Sequence, residues 1–150
     1  MNSIRLAYAR AASNLADGGR KDEAKKLLNK CDQMMLESNF SYGMVSRGQQ
    51  HNQIALQFLM AAYKAGDTSL IGKVTSSVKK DMEQQASYYE SLSDNRREAM
   101  RQEEERNMQL LRGLMQMEQQ FKNPQPLREN PVTIQAQPIT QPAQRTDSQK

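Results

Sequence analysis

At 150 residues, with a hydrophobic share of 37% and a mean hydropathy of −0.88, the chain has room for one modest core and little more. Its net charge of +4 does not make a nucleic-acid footprint. Four of the 21 basic and two of the 17 acidic residues lie from Lys122 onward, which leaves Met1–Phe121 nearly balanced with its signs interspersed.

No apolar run approaches the roughly 20 residues that span a bilayer, and a lone Cys31 excludes an intrachain disulfide. The isolated chain is expected to be soluble. All five prolines fall after Lys122, and before that point β-branched runs are few. Both features predict helix throughout, hence an all-α fold.

Ser3 is expected to cap a first helix whose apolar face is Ile4, Tyr8, Ala11, Ala12, Leu15 and Ala16. Asp17-Gly18-Gly19 stops it, because glycine enters the left-handed cap without penalty. A second helix runs from about Lys21 to Glu37, with Asp22 and Glu23 in the first turn where the helix dipole favours anions. Ala24, Leu27, Leu28, Cys31, Met34 and Met35 form its stripe. So short a turn between two amphipathic helices predicts an antiparallel hairpin. The connection Ser38–Gln50 carries Phe40, Tyr42, Met44 and Val45, too apolar for a free linker, and all four are expected to face inward.

Ile54–Tyr63 is apolar except at Gln57 and forms the centre of a third helix, about His51–Ala65. A helix apolar nearly all round must be covered on several sides. After Gly66, Asp67 or Thr68 caps a fourth helix with Ile71, Val74, Val78, Met82, Gln85, Tyr89 and Leu92 in line. Gly19 and Gly66 thus occupy equivalent places in two hairpins, and the first hairpin matches tetratricopeptide spacing at Tyr8, Ala11, Ala12, Leu15, Gly19, Ala24, Leu28 and Cys31.

Residues 93–121 make a fifth helix, charged over Asn95–Arg106 and then apolar along Leu110, Leu114, Met117 and Phe121, with Met108, Leu111 and Met115 beside that line. This second half must dock, on this chain or on another copy of it. The Gln/Pro-rich tail, 122–150, lacks the apolar mass to offset ordering entropy and is expected to be disordered. The predicted organisation is therefore a two-hairpin domain over 1–92, a long helix over 93–121, and the tail.

No pattern specifies a reaction. Gly66–Val74 has Lys73 after Gly72, but five residues separate the glycines and Val74 stands where a P-loop needs Ser or Thr. It reads as a helix stop followed by a helix start. His51 is the only histidine, expected in a loop or cap facing solvent, and neither Ser41, Ser46 nor Cys31 sits beside a base by sequence. Cys31 belongs to an apolar stripe and reads as a small buried hydrophobe. Glu103, Glu104 and Glu105 point in different directions on a helix, so they cannot converge on a metal. No catalytic residue, metal or cofactor is expected.

Tetratricopeptide-type hairpins bind peptides on the face formed by the first helix of each pair. In this register that face carries Leu6, Ala9 and Ser13 from the first helix, and Gln53, Leu56, Met60 and Tyr63 from the third. The apolar half of the face can be covered by a partner segment or by the chain's own Leu110–Phe121, and docking within the chain is favoured.

The stretches Tyr42–Asn52, Leu56–Leu59, Ala61–Asp67, Val78–Asp81 and Tyr88–Leu92, with Gly19-Arg-Lys-Asp-Glu-Ala24 before Leu27-Leu28, resemble a known family over about Ile4–Leu92. It is the C-terminal tetratricopeptide-like region of large bacterial multi-spanning membrane proteins related to protein O-mannosyltransferases, a domain of unknown function. The resemblance implies that sugar-transfer machinery would sit in a membrane part outside this chain, and that this region would hang on the extracytoplasmic, periplasmic side. It carries over no catalytic residue.

The functional expectation is a non-catalytic helical-repeat module that binds a protein or peptide segment, not nucleic acid. The alternative is a self-associating structural protein that pairs through Leu110, Leu114, Met117 and Phe121.

Overall fold

The computed structural model describes residues 1–122 as five α-helices and a short 3-10 turn, with no strand among them. They are α1 (Asn2–Asp17), α2 (Lys21–Met34), the 3-10 turn Arg47–Gln49, α3 (Gln50–Ala65), α4 (Thr68–Glu90) and α5 (Asp94–Lys122). The Gln/Pro-rich tail expected from 122 lies, beyond Lys122, outside the described residues.

Both hairpins turn on the same device. At the first, the Gly19 amide donates to the Ala16 carbonyl (3.0 Å) and the Arg20 amide to that of Leu15 (2.9 Å). At the second, Gly66 donates to Tyr63 (3.0 Å) and Asp67 to Ala62 (3.0 Å). This crossed pair closes a helix through a left-handed residue, and Gly19 and Gly66 hold φ of 80° and 74°. The two turns repeat at the spacing read from the sequence. Asp67 adds a cap that its counterpart Arg20 lacks: Oδ1 accepts from the Leu70 amide (3.1 Å) and Oδ2 from Asn29 Nδ2 of α2 (2.7 Å).

Two glycines of this region should respond oppositely to alanine. Gly66→Ala forces a Cβ into the left-handed region and should cost about 1 kcal/mol. Gly72 lies inside α4 with open space around a would-be Cβ. Gly72→Ala should therefore stabilise the fold by up to about 1 kcal/mol through helix propensity alone. Urea midpoints of the two variants against wild type check both signs.

Packing follows from the apolar faces. α1 and α3 lie side by side, α3 also touches α5, and α2 and α4 back this layer. Ten of the sixteen residues of α3 are buried, including Ala55, Phe58, Leu59, Ala61 and Ala62, so the apolar rod is covered as its composition requires. The covers are α1 and α2 on one side, α4 behind, and α5 on the other side. α5 runs back along α4, where Asn107 Nδ2 donates to the Met82 carbonyl (2.9 Å). Its Phe121 stacks on Tyr63 of α3, with ring centroids 4.5 Å apart and planes 11° from parallel.

Several local expectations are corrected. Ser3 is not the cap of α1, which begins at Asn2 after Met1 with no side-chain cap bond. The inward line of α1 is Arg5, Ala9, Ala12 and Ala16, while Ile4 and Ala11 are exposed. α2 stops at Met34, whose side chain is exposed, and Leu27 is half-buried. On α4, Leu70 takes the buried place expected of Ile71. In the connection Tyr42 is buried and Phe40 half-buried, but Met44 and Val45 point outward. Side chains of an irregular segment follow its local bends, so their direction carries no period to read.

Candidate interaction site

The connection between the hairpins is pinned by groups from three helices. Arg5 of α1 is 1% exposed. Its guanidinium donates to the carbonyls of Phe40 (2.9 Å) and Ser41 (3.1 Å). It lies 4.6 Å from the Phe40 ring centroid and 4.3 Å from that of Tyr42, at cation–π distance from both. Burial holds its pKa below the ordinary arginine value, a cost offset by these contacts. Tyr42 Oη donates to Asp32 Oδ1 (2.8 Å), which also accepts from Lys73 Nζ (2.7 Å). Burial first, and then this bond to a carboxylate, push the Tyr42 phenol well above its usual range.

On the α4 side, the Gly43 amide donates to Ser77 Oγ (3.1 Å), and the Ser41 and Ser77 hydroxyls are 3.0 Å apart. Asn52, fully buried in the first turn of α3, closes the other end. Its Oδ1 accepts from the Met44 amide (3.1 Å), while Nδ2 donates to Gln49 Oε1 (3.0 Å) and Asp81 Oδ2 (2.8 Å). Gln49 sits at φ 57° and bonds Gln85 through its side chain, which in turn donates to Asp81 (2.6 Å). A buried polar network of this kind rigidifies what it touches when its members find partners.

His51 corrects the expectation of a solvent-facing histidine, being 1% exposed. Its Nε2 lies 2.8 Å from the Ser41 carbonyl, which can only accept, so that nitrogen carries the hydrogen. Nδ1 is buried with no partner among the described residues, and the Arg5 guanidinium is 3.4 Å from Nε2. Desolvation by burial is the main cause that lowers its pKa, with the Arg5 charge acting the same way, while the bond to the Ser41 carbonyl and then the Asp81 charge oppose it.

Protonation therefore costs more in the folded chain than in the unfolded one. The stability that goes with the neutral ring is intact above the ordinary histidine range and is lost as the pH falls through that range towards the lower folded value. The urea midpoint should drop between pH 7.5 and pH 5.5 in wild type. It should stay nearly level in His51→Gln, whose amide can still donate to Ser41.

Among the described residues no carboxylate, hydroxyl or thiol side chain lies within hydrogen-bond distance of the His51 ring. Its ring meets a carbonyl and a cation, and Ser46 Oγ accepts from its backbone amide (2.8 Å) instead of facing the imidazole. Cys31 is buried, and burial pushes its thiol up, away from an activated thiolate. A polar cleft of about 500 Å³ opens beside the connection, lined by Ser41, Gly43, Lys73, Ser77, Lys80 and Asp81 among others. Lys73 there is paired with Asp32, and the two serines with each other. Among the described residues no three His, Cys, Asp or Glu side chains converge as metal ligands. No helix among them is long and apolar enough to cross a membrane.

The residues of the expected partner face separate into three groups. Ala9 is 1% exposed, packed in the core between the hairpins, and cannot reach a partner. Leu56 is nearly closed at 9%, and Tyr63 lies under Phe121. Leu6, Ser13, Gln53 and Met60 keep accessible surface, with Gln57 and Lys64 completing the open line along α3. Lys64 reaches across to Asp17 of α1 (2.7 Å). The apolar part of the face is thus covered by the chain's own α5, and what stays open is polar around one methionine.

The same docking consumes the line expected to pair with a second copy. Leu114 is fully buried, Leu110 and Met117 pack against the core, and Phe121 stacks on Tyr63. Pairing through these residues would first require α5 to leave α3 and α4.

No protein-family model, no curated protein and no solved structure matches this chain.

Proposed function

We propose that the chain is a helical-repeat protein-interaction module whose binding face is the open line of α3, Gln53, Gln57 and Met60, flanked by Leu6 and Ser13 of α1. The observation that carries this reading is the contrast along α3. A helix with ten buried residues in sixteen leaves a single accessible stripe, set between α1 and α5 on the layer that the first helices of the hairpins form. Amide side chains beside a methionine suit an extended peptide: Gln53 and Gln57 can bond its main chain while Met60 adapts to a side chain. Gln53 already donates to the Gly48 carbonyl (3.1 Å) and would exchange that bond on binding.

The sequence of Tyr42–Asn52 and Ala61–Asp67 supports a further step in the same proposal. The module would belong to the C-terminal end of a bacterial glycosyltransferase-like membrane protein, on its extracytoplasmic side, where it would hold a protein substrate near the membrane part. An in-frame upstream sequence encoding membrane spans would support this parentage, and an in-frame stop shortly before Met1 would count against it.

A photo-reactive residue at Gln57, compared with one at Glu83 on the outer side of α4, tests the binding face in the native cell. The expected result is a product formed from position 57 and not from 83. The captured segment, made as a peptide, should bind wild type and lose at least tenfold in affinity with Met60→Glu, about 1.4 kcal/mol. Equal capture from both positions, or binding indifferent to Met60→Glu, would overturn the reading.

A further inference from the structure

His51 is the only histidine of the chain, and its ring is enclosed between α1 and the connection. From α1 it meets the Arg5 guanidinium, 3.4 Å from Nε2. The connection supplies the Ser41 carbonyl at 2.8 Å and the Phe40 ring, with centroids 4.9 Å apart and planes at 73°. The Tyr42 main chain and, on α4, the Asp81 carboxylate also act on its charge. The α2 carboxylates of this region, Asp32 and Glu37, act on Arg5 instead.

The neutral ring fits this place, and a charged one does not. With Nε2 already donating to Ser41, a second proton would enter on Nδ1. It would turn a buried acceptor into a buried donor that has no acceptor among the described residues, which is costly. The new charge would also stand beside the Arg5 guanidinium, with both cations gripping the one Ser41 carbonyl. Asp81 opposes that repulsion, but its Oδ2 is already engaged by Asn52 (2.8 Å) and Gln85 (2.6 Å).

The connection is the part of this enclosure that can give way. The ring's own helix is fixed by the buried Asn52, Ile54 and Ala55. Between Met35 and Ser46 the chain forms no helix. Its amides lean on side chains there, that of Gly43 on Ser77 Oγ and that of Met44 on Asn52 Oδ1. Segments with few main-chain bonds of their own open first. Met44 and Val45 already lie in solvent, at 40% and 66% exposure, so lifting them uncovers little. Tyr42 is what keeps the segment down, buried against Phe58 with ring centroids 5.4 Å apart.

We propose that His51 is an acid-sensitive latch: when its ring takes a second proton, residues 40–45 lift off α3 and α4 while the helices keep their places. Release uncovers Phe58 and frees Arg5 from the Phe40 and Ser41 carbonyls. The closed form is favoured above the ordinary histidine range and loses ground as the pH falls through it. This local opening is separate from the loss of global stability, because the ring reaches water without the unfolding of α3. The inference does not rest on the peptide-binding reading, which uses the open line of α3.

Amide hydrogen exchange of the full chain at pH 7.5 and pH 5.5, corrected for the intrinsic chemical rate, tests it. The Gly43 and Met44 amides are the reporters. Their opening constant in wild type should rise about tenfold between the two pH values, the increase that an ordinary histidine pKa of about 6.5 allows when only the open form is protonated. In His51→Gln it should stay level, and the helical circular dichroism of both proteins should be the same at both pH values. Should His51→Gln lose helicity, His51→Phe serves as the untitratable control. An equal opening constant at both pH values in wild type would overturn the proposal even if the urea midpoint falls, since protons would then reach the ring only through global unfolding. So would an equal rise in His51→Gln, which would place the acid response at another group.

Discussion

Gly43→Ala is expected to lift the connection off α4 and to destabilise the fold by about 3 kcal/mol, a large share of the 5–15 kcal/mol typical of a domain. A Cβ at position 43 would fall inside contact distance of the Ser77 carbonyl oxygen, 2.9 Å from its carbonyl carbon and 2.8 Å from Asp81 Cβ. The carbonyl belongs to the middle of a helix and cannot rotate away. The connection cannot easily retreat either, because Arg5 holds Phe40 and Ser41 on one side of Gly43 and Asn52 holds the Met44 amide on the other.

Overpacking of this kind costs about 1–3 kcal/mol. Loss of the Gly43 to Ser77 bond adds about 1 kcal/mol. The urea midpoint measures the loss, and limited proteolysis should find new cuts within 38–50. Substitution at Ser77 should not rescue it, since the clash is with main chain. An unchanged midpoint would mean that the connection does not lie against α4.

Arg5→Ala is the second large effect, expected at about 3 kcal/mol or more. Truncation leaves the Phe40 carbonyl without its charged donor, at about 1–3 kcal/mol for a buried group left unpaired, while the Ser41 carbonyl loses one donor and keeps His51 Nε2. It also removes the cation between two rings, worth about 2 kcal/mol when desolvated. Relief of burying a guanidinium works against these losses, as its lowered pKa indicates, and keeps the net below their sum. Arg5→Lys should recover less than half, because an ammonium lacks the planar fork that serves two carbonyls while stacking on rings. Arg5 and Gly43 fix the same segment, so the double variant should cost less than the two singles added.

These two residues also mark where sequence reasoning reached and where it stopped. The hairpin turns were legible because a glycine directly after an alanine-rich stripe has few roles other than a left-handed cap, and both turns have that geometry. The α3 rod was legible because an almost uninterrupted apolar run has to be enclosed. The docking of Leu110–Phe121 followed from the same need, and Tyr63 proved to be where its end rests.

Arg5 was not legible. A single arginine in an amphipathic helix reads as surface, and only the folded connection supplies the two carbonyls and two rings that make burying it tolerable. His51 escaped for the same reason. α1 misled because it has two apolar sides, Ile4–Leu15 and Ala9–Ala16, and alanine is too small to show which one is enclosed. That ambiguity placed Ala9 on a partner face when it packs between the hairpins. Gly43 carried one usable signal, a glycine between Tyr42 and Met44 in a segment too apolar to be a free linker.

The central claim is that α3 is the enclosed axis of a single stack, with α1 and α2 on one side, α4 behind and α5 on the other. Native-state amide hydrogen exchange measures this most directly. The amides of Ile54–Ala65 should be the slowest in the chain, opening only with global unfolding, and those of Leu110–Met117 should be protected well above an isolated helix. Exchange of Ile54–Ala65 as fast as the connection at Met44 and Val45, or an unprotected Leu110–Met117, would contradict it.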